Sequence, residues 1–351
     1  MPQPDRPESR GGRPSAGSVL LLVALLVIAA AAIRGADGEA GEESAGEATA
    51  AASLTPAHPV APVSVIDRGT LTVPQETRIA RGTFWARGGE TYLVTMGLTS
   101  TKPADSAGRS MYLGVTLSCS PRSGGRGISI GGTQNLLTGA ESGYRNQGLI
   151  RVPEDGAVDC SIKASAPYDD VASAGTTFGI DGTWGVEAVG DPSVQAPTDV
   201  LPRTLPAGAE ETVLVVDLPA GPGGAADVRA LTSLHLTTCT GLGGSREAGR
   251  VWCSPDGVDP AGSTTGLLLR ADLVGEDGAV CAALGEIGTP PEHIDLYRHH
   301  RLLSLELDAL VPEEPCGARI RVGVEVQNRG PAPLVVHAAN SSLVVVEEPG
   351  R

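Results

Sequence analysis

Lysine is nearly absent from this chain: Lys102 and Lys163 are the only two in 351 residues. Aromatic rings are scarce as well, with two phenylalanines, three tryptophans and five tyrosines. The first shortage, on a chain of formal charge −15, excludes nucleic-acid binding, because phosphate contacts need clustered Lys and Arg. The second leaves cores to be built from Val, Leu, Ile and Ala, and speaks against an extended aromatic platform for sugars. No cysteine precedes Cys119, so a lipid-modified N-terminal cysteine is excluded. No two of the six cysteines lie closer than fourteen positions, so the CxxC-type spacing of structural zinc sites is missing. Long amphipathic helical patterns are missing too, and no motif implies a cofactor.

What is present begins with one apolar run. Between Arg13 and Arg34 lie twenty uncharged residues, of which Ser18–Ile33 is strongly apolar and near the lower limit for crossing a bilayer. Arg6, Arg10 and Arg13 precede the run and acids dominate after Arg34, so residues 1–17 are expected to stay cytoplasmic. Residues 18–33 then act as a signal anchor, giving a single-pass membrane protein with extracytoplasmic domains. The alternative is a signal peptide cut near Ala29–Ala32, giving a secreted protein. The Ala-, Gly-, Glu- and Pro-rich stretch 34–63 has too little apolar surface to offset its chain entropy and reads as a disordered stalk.

Beyond it the chain repeats itself. "PEDGAVDC" at Pro153–Cys160 is echoed by "GEDGAVC" at Gly275–Cys281, and "CSP" occurs at Cys119–Pro121 and Cys253–Pro255. "GLTST" at Gly97–Thr101 matches "HLTTC" at His235–Cys239, and "WGVEA" at Trp184–Ala188 matches "VGVEV" at Val322–Val326, both displaced by 138 positions. The expectation is a tandem duplication. An even cysteine count in an exported chain points to disulfides. Of the fifteen connectivities six cysteines allow, the word alignment selects Cys119–Cys160, Cys253–Cys281 and Cys239–Cys316. The rival is Cys239–Cys253 with Cys281–Cys316.

Segments such as "IRVGVEV" (Ile320–Val326) alternate apolar and polar residues, as half-buried strands do. Asp155-Gly156 and Asp277-Gly278 read as turns, with the glycine of each at positive φ. The fold expected is all-β: two tandem disulfide-bonded sandwiches, Ig-like or jelly-roll-like, at 64–190 and 211–348, joined by a Pro-rich linker at 191–210.

Candidate chemistry is thin. "GISIG" around Ser129 matches the nucleophile-elbow pattern but lacks the strand-to-helix context that the motif needs. "PPEHIDLYRHHR" (Pro290–Arg301) gathers Glu292, His293, Asp295, His299 and His300, a weak metal-ligand set. By the word alignment it is an insert absent from the first copy, which marks it for a specialised contact. In a strand, adjacent His299 and His300 would face opposite sides. Asp169, Asp170 and Asp181 match no calcium-loop spacing and read as turn formers. Trp184 should be core, whereas Trp252, beside Cys253, is a weak candidate for an exposed ligand-stacking ring. The function expected is therefore that of a non-enzymatic envelope protein binding a protein or cell-wall polymer. A metal-dependent or serine hydrolase and a structural spacer are the alternatives.

Overall fold

The computed structural model describes residues 60–70, 76–102, 110–165, 177–220, 227–241, 246–247, 250–251, 253 and 257–348. The apolar run 18–33, Trp252, Asp169 and Asp170 lie outside them. Among the described residues no helix is long and apolar enough to cross a membrane.

Alternation becomes strand as the sequence requires. In "IRVGVEV", Ile320, Val322, Val324 and Val326 are all buried while the residues between them are half-exposed. The first eight strands are β1 (Val60–Thr70), β2 (Glu76–Ala86), β3 (Thr91–Thr101), β4 (Ser110–Pro121), β5 (Ile128–Leu137), β6 (Glu141–Arg151), β7 (Gly156–Ser165) and β8 (Thr177–Val189). They form two antiparallel sheets in the orders β1-β8-β3-β6 and β2-β7-β4-β5. β1 starts inside the stretch read as stalk, because "VSVI" continues the strand pattern.

The remaining strands are β9 (Ser193–Gln195), β10 (Arg203–Leu205), β11 (Glu210–Pro219), β12 (Asp227–Thr238), β13 (Arg246–Glu247), β14 (Arg250–Val251), β15 (Ser263–Val274), β16 (Val280–Gly288), β17 (Glu292–Ile294), β18 (Arg301–Leu310), β19 (Arg319–Asn328) and β20 (Leu334–Glu348). Their main sheets run β10-β20-β12-β18 and β11-β19-β15-β16. Substituting β10, β11, β12, β15, β16, β18, β19 and β20 for β1 to β8 gives the same order twice. Each copy is an eight-stranded jelly roll, the second of the two sandwich types expected. The Pro-rich segment 191–210 contributes β9 and β10, both paired with β20, so it is stitched to the second roll.

Topology confirms the duplication but moves its register. "GLTST" and "HLTTC" do fall on equivalent strands, β3 and β12. "WGVEA" lies on β8, whose equivalent is β20, whereas "VGVEV" lies on β19, the equivalent of β7. The first "DGAV" leads into β7 and the second into β16, again non-equivalent. Those echoes fall at non-equivalent positions and do not trace the duplication. Gly278 takes the positive φ expected of it (82°). Gly156 does not, because the turn closes at Glu154-Asp155 and Gly156 is already extended opposite Ala86.

The disulfides follow the topology. Cys119–Cys160 bridges directly opposed residues of β4 and β7, as expected. The other two are Cys239–Cys253 and Cys281–Cys316, the rival pairing, which overturns Cys253–Cys281 and Cys239–Cys316. The Cys239 amide bonds to Pro333 O, beyond the end of β19, whereas Cys316 precedes its start. A strand of ten residues separates them by about 30 Å, far outside disulfide reach.

Roll two has a core of Val, Leu, Ile and Ala without a ring. Roll one adds Phe84, Tyr92, Tyr144 and Trp184. Trp184 is core as expected, and Gly82 makes room for it: a Cβ there would lie 2.6 Å from the indole.

The two rolls are packed together. The β5–β6 corner of roll one sits on the outer face of β20-β12-β18, and the contact is graded along its length. At one end Leu93 and Leu149 pack on Leu231, Val344 and Val346. In the middle, Asn146 Nδ2 donates to Asn340 O (2.9 Å), Ser342 Oγ donates to Asn146 Oδ1 (2.8 Å), and Gln147 Nε2 donates to Ser342 Oγ (2.9 Å). Ser233 and Ser304 both donate to Arg145 O. Asn340 reaches across because β20 bulges there. Its φ of 66° is a left-handed conformation that Asn tolerates better than most residues.

Candidate functional site: the outer face of roll one and the junction cleft

The sheet β2-β7-β4-β5 turns one face to the core and the other to solvent. In "TFWA" two neighbouring rings must point opposite ways: Phe84 is buried and Trp85 is 61% exposed. Rows of small polar groups accompany it. Thr83 is opposite Asp159, which is opposite Ser120; Arg81 is opposite Ser161, then Ser118, then Ser129. Thr83 Oγ1 donates to Asp159 Oδ1 (2.7 Å), and Arg122 grips both oxygens of that carboxylate at 2.7 and 2.8 Å. The guanidinium and then the Thr83 hydroxyl hold Asp159 down to about 2, so it stays charged at any neutral pH. The result is a face of hydroxyls, Arg81 and the ion pairs Arg122–Asp159 and Lys163–Glu76 beside an exposed indole.

At the β5 edge this face runs into a cleft of about 690 Å³, where Arg126–Ser129 and Leu149–Arg151 meet Gln195–Asp199. Gln195 Oε1 accepts from the Leu149 amide (3.0 Å), and Ala196 N donates to Leu343 O (2.9 Å). These bonds fix the far wall. Ser129 is here, on an uninterrupted strand, sharing a hydrogen bond with Ser118 (3.2 Å). No turn presents it as an elbow nucleophile.

The histidine-rich segment is dispersed. Pro290 and Pro291, which lack amide protons, interrupt the ladder, and Glu292–Ile294 then resumes pairing with β15. Glu292 pairs with Arg301 (3.3 Å), His293 Nδ1 lies 3.3 Å from Thr264 Oγ1, and Asp295 accepts the amides of Tyr297 and Arg298. Among the described residues no group of three or more His, Cys, Asp or Glu is placed to hold a metal.

His299 and His300 are not in a strand and do not diverge; their rings meet edge-on at 4.9 Å. His300 enters the seam between the rolls. Its amide donates to Asn135 Oδ1 (2.6 Å) and its carbonyl accepts from Asn135 N (3.1 Å). His300 Nδ1 lies 3.0 Å from His235 Nε2, and His235 stacks on His337 with centroids 4.7 Å apart. Burial, then the neighbouring His337, pushes His235 down to about 3, against the opposing bond to Ala339 O. Burial and the other imidazoles push His300 well below its ordinary value. The specialised contact of this segment is therefore with the sister roll.

Sequence reasoning missed Trp85 and the cleft. Adjacent Phe84-Trp85 inside an alternating run was the available signal for the first. The second joins residues distant in the chain and had none.

No family model and no curated protein matches the chain. Similar solved structures include the N-terminal CBM22-1-CBM22-2 tandem domain of Paenibacillus barcinonensis Xyn10C, at 10% identity over 82% of this chain and 97% of that one, TM-score 0.21. The IBDV viral particle protein is similar at 11% identity over 82% and 70%, TM-score 0.29. The Bacillus thuringiensis delta-endotoxin Cry8Ea1 is similar at 7% over 75% and 54%, TM-score 0.23. At scores this low the likenesses assign neither ligand nor activity to this chain.

Proposed function

We propose that this is a non-catalytic envelope protein, exported behind residues 18–33, that binds a cell-wall polysaccharide on the outer face of roll one. The observation that carries the reading is Trp85: a 61% exposed indole in a chain with only three tryptophans, on a sheet face otherwise made of hydroxyls, Arg81 and the ion pairs Arg122–Asp159 and Lys163–Glu76. The face of an indole carries negative charge density that suits the C–H bonds of a sugar ring. The flanking Thr83, Ser118, Ser120 and Ser161 offer donors and acceptors to its hydroxyls. A binding role is further supported by Ser129 lying on a strand with only Ser118 Oγ beside its hydroxyl and by His300 being engaged in the seam, since neither supplies a nucleophile with its base.

The test is co-sedimentation of the full chain with insoluble cell-wall polysaccharide. Trp85→Ala should weaken retention about thirty-fold, the scale of an interface hot spot, without lowering the melting temperature. Equal retention of wild type and variant would remove the reading.

A further inference from the structure

We propose that the junction cleft is an anion subsite of this surface, taking a carboxylate or phosphate group carried on the sugar chain; the proposal rests on the polysaccharide reading above. Arg126 and Arg151 both line the cleft, and among the described residues neither has a carboxylate partner. Many of the other arginines are paired, Arg122 with Asp159, Arg145 with Glu306, Arg229 with Glu187 and Arg321 with Asp217, although among the described residues Arg78 and Arg81 on β2 are not. What sets Arg126 and Arg151 apart is that both reach the same cleft in a chain of charge −15. Asp199 is the one acid in the lining, which leaves the cleft with a net positive charge.

Arginine is suited to such a ligand because its planar fork matches the two oxygens of a carboxylate or phosphate. The cleft volume, about 690 Å³, is in the range of small-ligand sites and admits a sugar with its charged substituent. Ser129 and Thr198 add hydroxyls, and the hydrogen-bonded wall at Gln195 and Ala196 means little ordering is needed on binding.

Position supports the same conclusion. Ser129 belongs both to the cleft and to the row Arg81-Ser161-Ser118-Ser129 of the open face. Three strand spacings across and four residues along separate it from Trp85, about 20 Å. A chain of a few sugars would stack on Trp85 and place an acidic substituent between Arg126 and Arg151.

The experiment measures binding of the full chain to three polymers at equal ionic strength: polygalacturonate for carboxylate, teichoic acid for phosphate, and neutral xylan. Wild type should bind one of the charged polymers more tightly than xylan. The double variant Arg126→Gln/Arg151→Gln should lose about ten- to a hundredfold on that polymer and nothing on xylan; whichever charged polymer responds identifies the group. Both arginines are exposed, so an unchanged melting curve serves as the folding control. If the double variant binds the charged polymers as wild type does, the anion subsite is wrong. The polysaccharide reading still stands in that case, provided Trp85→Ala loses all three. If wild type retains no polymer, both fail together.

Discussion

Lowering the pH should loosen the seam between the rolls well before acid unfolds the carboxylate network. His235 is buried among His300, His337 and His299, and Tyr112 meets His300 edge-on at 4.8 Å. Its folded value lies near 3, against an ordinary 6.5. An imidazole with a lowered folded value is protonated more readily in the unfolded chain. Its contribution is therefore complete above about pH 6.5 and lost progressively as pH falls toward 3. A pH of 5 lies about 1.5 units below the ordinary value that the unfolded side chain keeps, which costs about 2 kcal/mol from His235 alone. His300 shifts in the same direction and deepens the loss. Asp159 and Asp217 are held low by Arg122 and Arg321, so their contributions disappear only at lower pH. The assay is urea unfolding of the full chain, followed by tryptophan fluorescence, at steps from pH 8 to pH 5. The midpoint should fall by roughly half a molar to one molar. His235→Gln should be less stable at pH 8 yet flatter with pH. A wild-type midpoint that stays level down to pH 5, or a variant with the wild-type slope, would refute the reasoning.

Non-reducing peptide mapping of the protein should return Cys119–Cys160, Cys239–Cys253 and Cys281–Cys316. Cys119→Ser, which opens the longest loop, of 41 positions, should cost about 4 kcal/mol in urea unfolding. Asn146→Ala should cost about 2–3 kcal/mol, because the Asn146 side chain satisfies Gly131 O, Asn340 O, Gln147 N and Ser342 Oγ at once. The loss should appear as separation of the single unfolding transition into two.

Strands were legible because alternation is local: Ile320 to Val326 announce their own inner face. Strand order was not, because β1 meets β8, and β2 meets β7, across most of a roll. Alternation says which side a residue faces and nothing about its neighbour. The repeated words misled for a related reason. A strand ending in an Asp-Gly turn has few ways to be written in so Ala-, Gly- and Val-rich a sequence, so Gly275–Cys281 resembles Pro153–Cys160 without descending from it. The misplaced register then paired Cys253 with Cys281. The histidines were noticed as a cluster in sequence, but His235 and His337, the residues that His300 meets, come from β12 and β20 and carry no local sign of it. Trp85 was legible in principle, since two adjacent rings in one strand cannot both be inside.

The graded seam makes the duplication irreversible in a practical sense. Cut free of its sister, the second roll would carry Leu231, Val344 and Val346 on an open sheet face, bordered by serines and imidazoles, and such a patch invites self-association. The orientation of the face that carries Trp85 is thereby fixed relative to roll two.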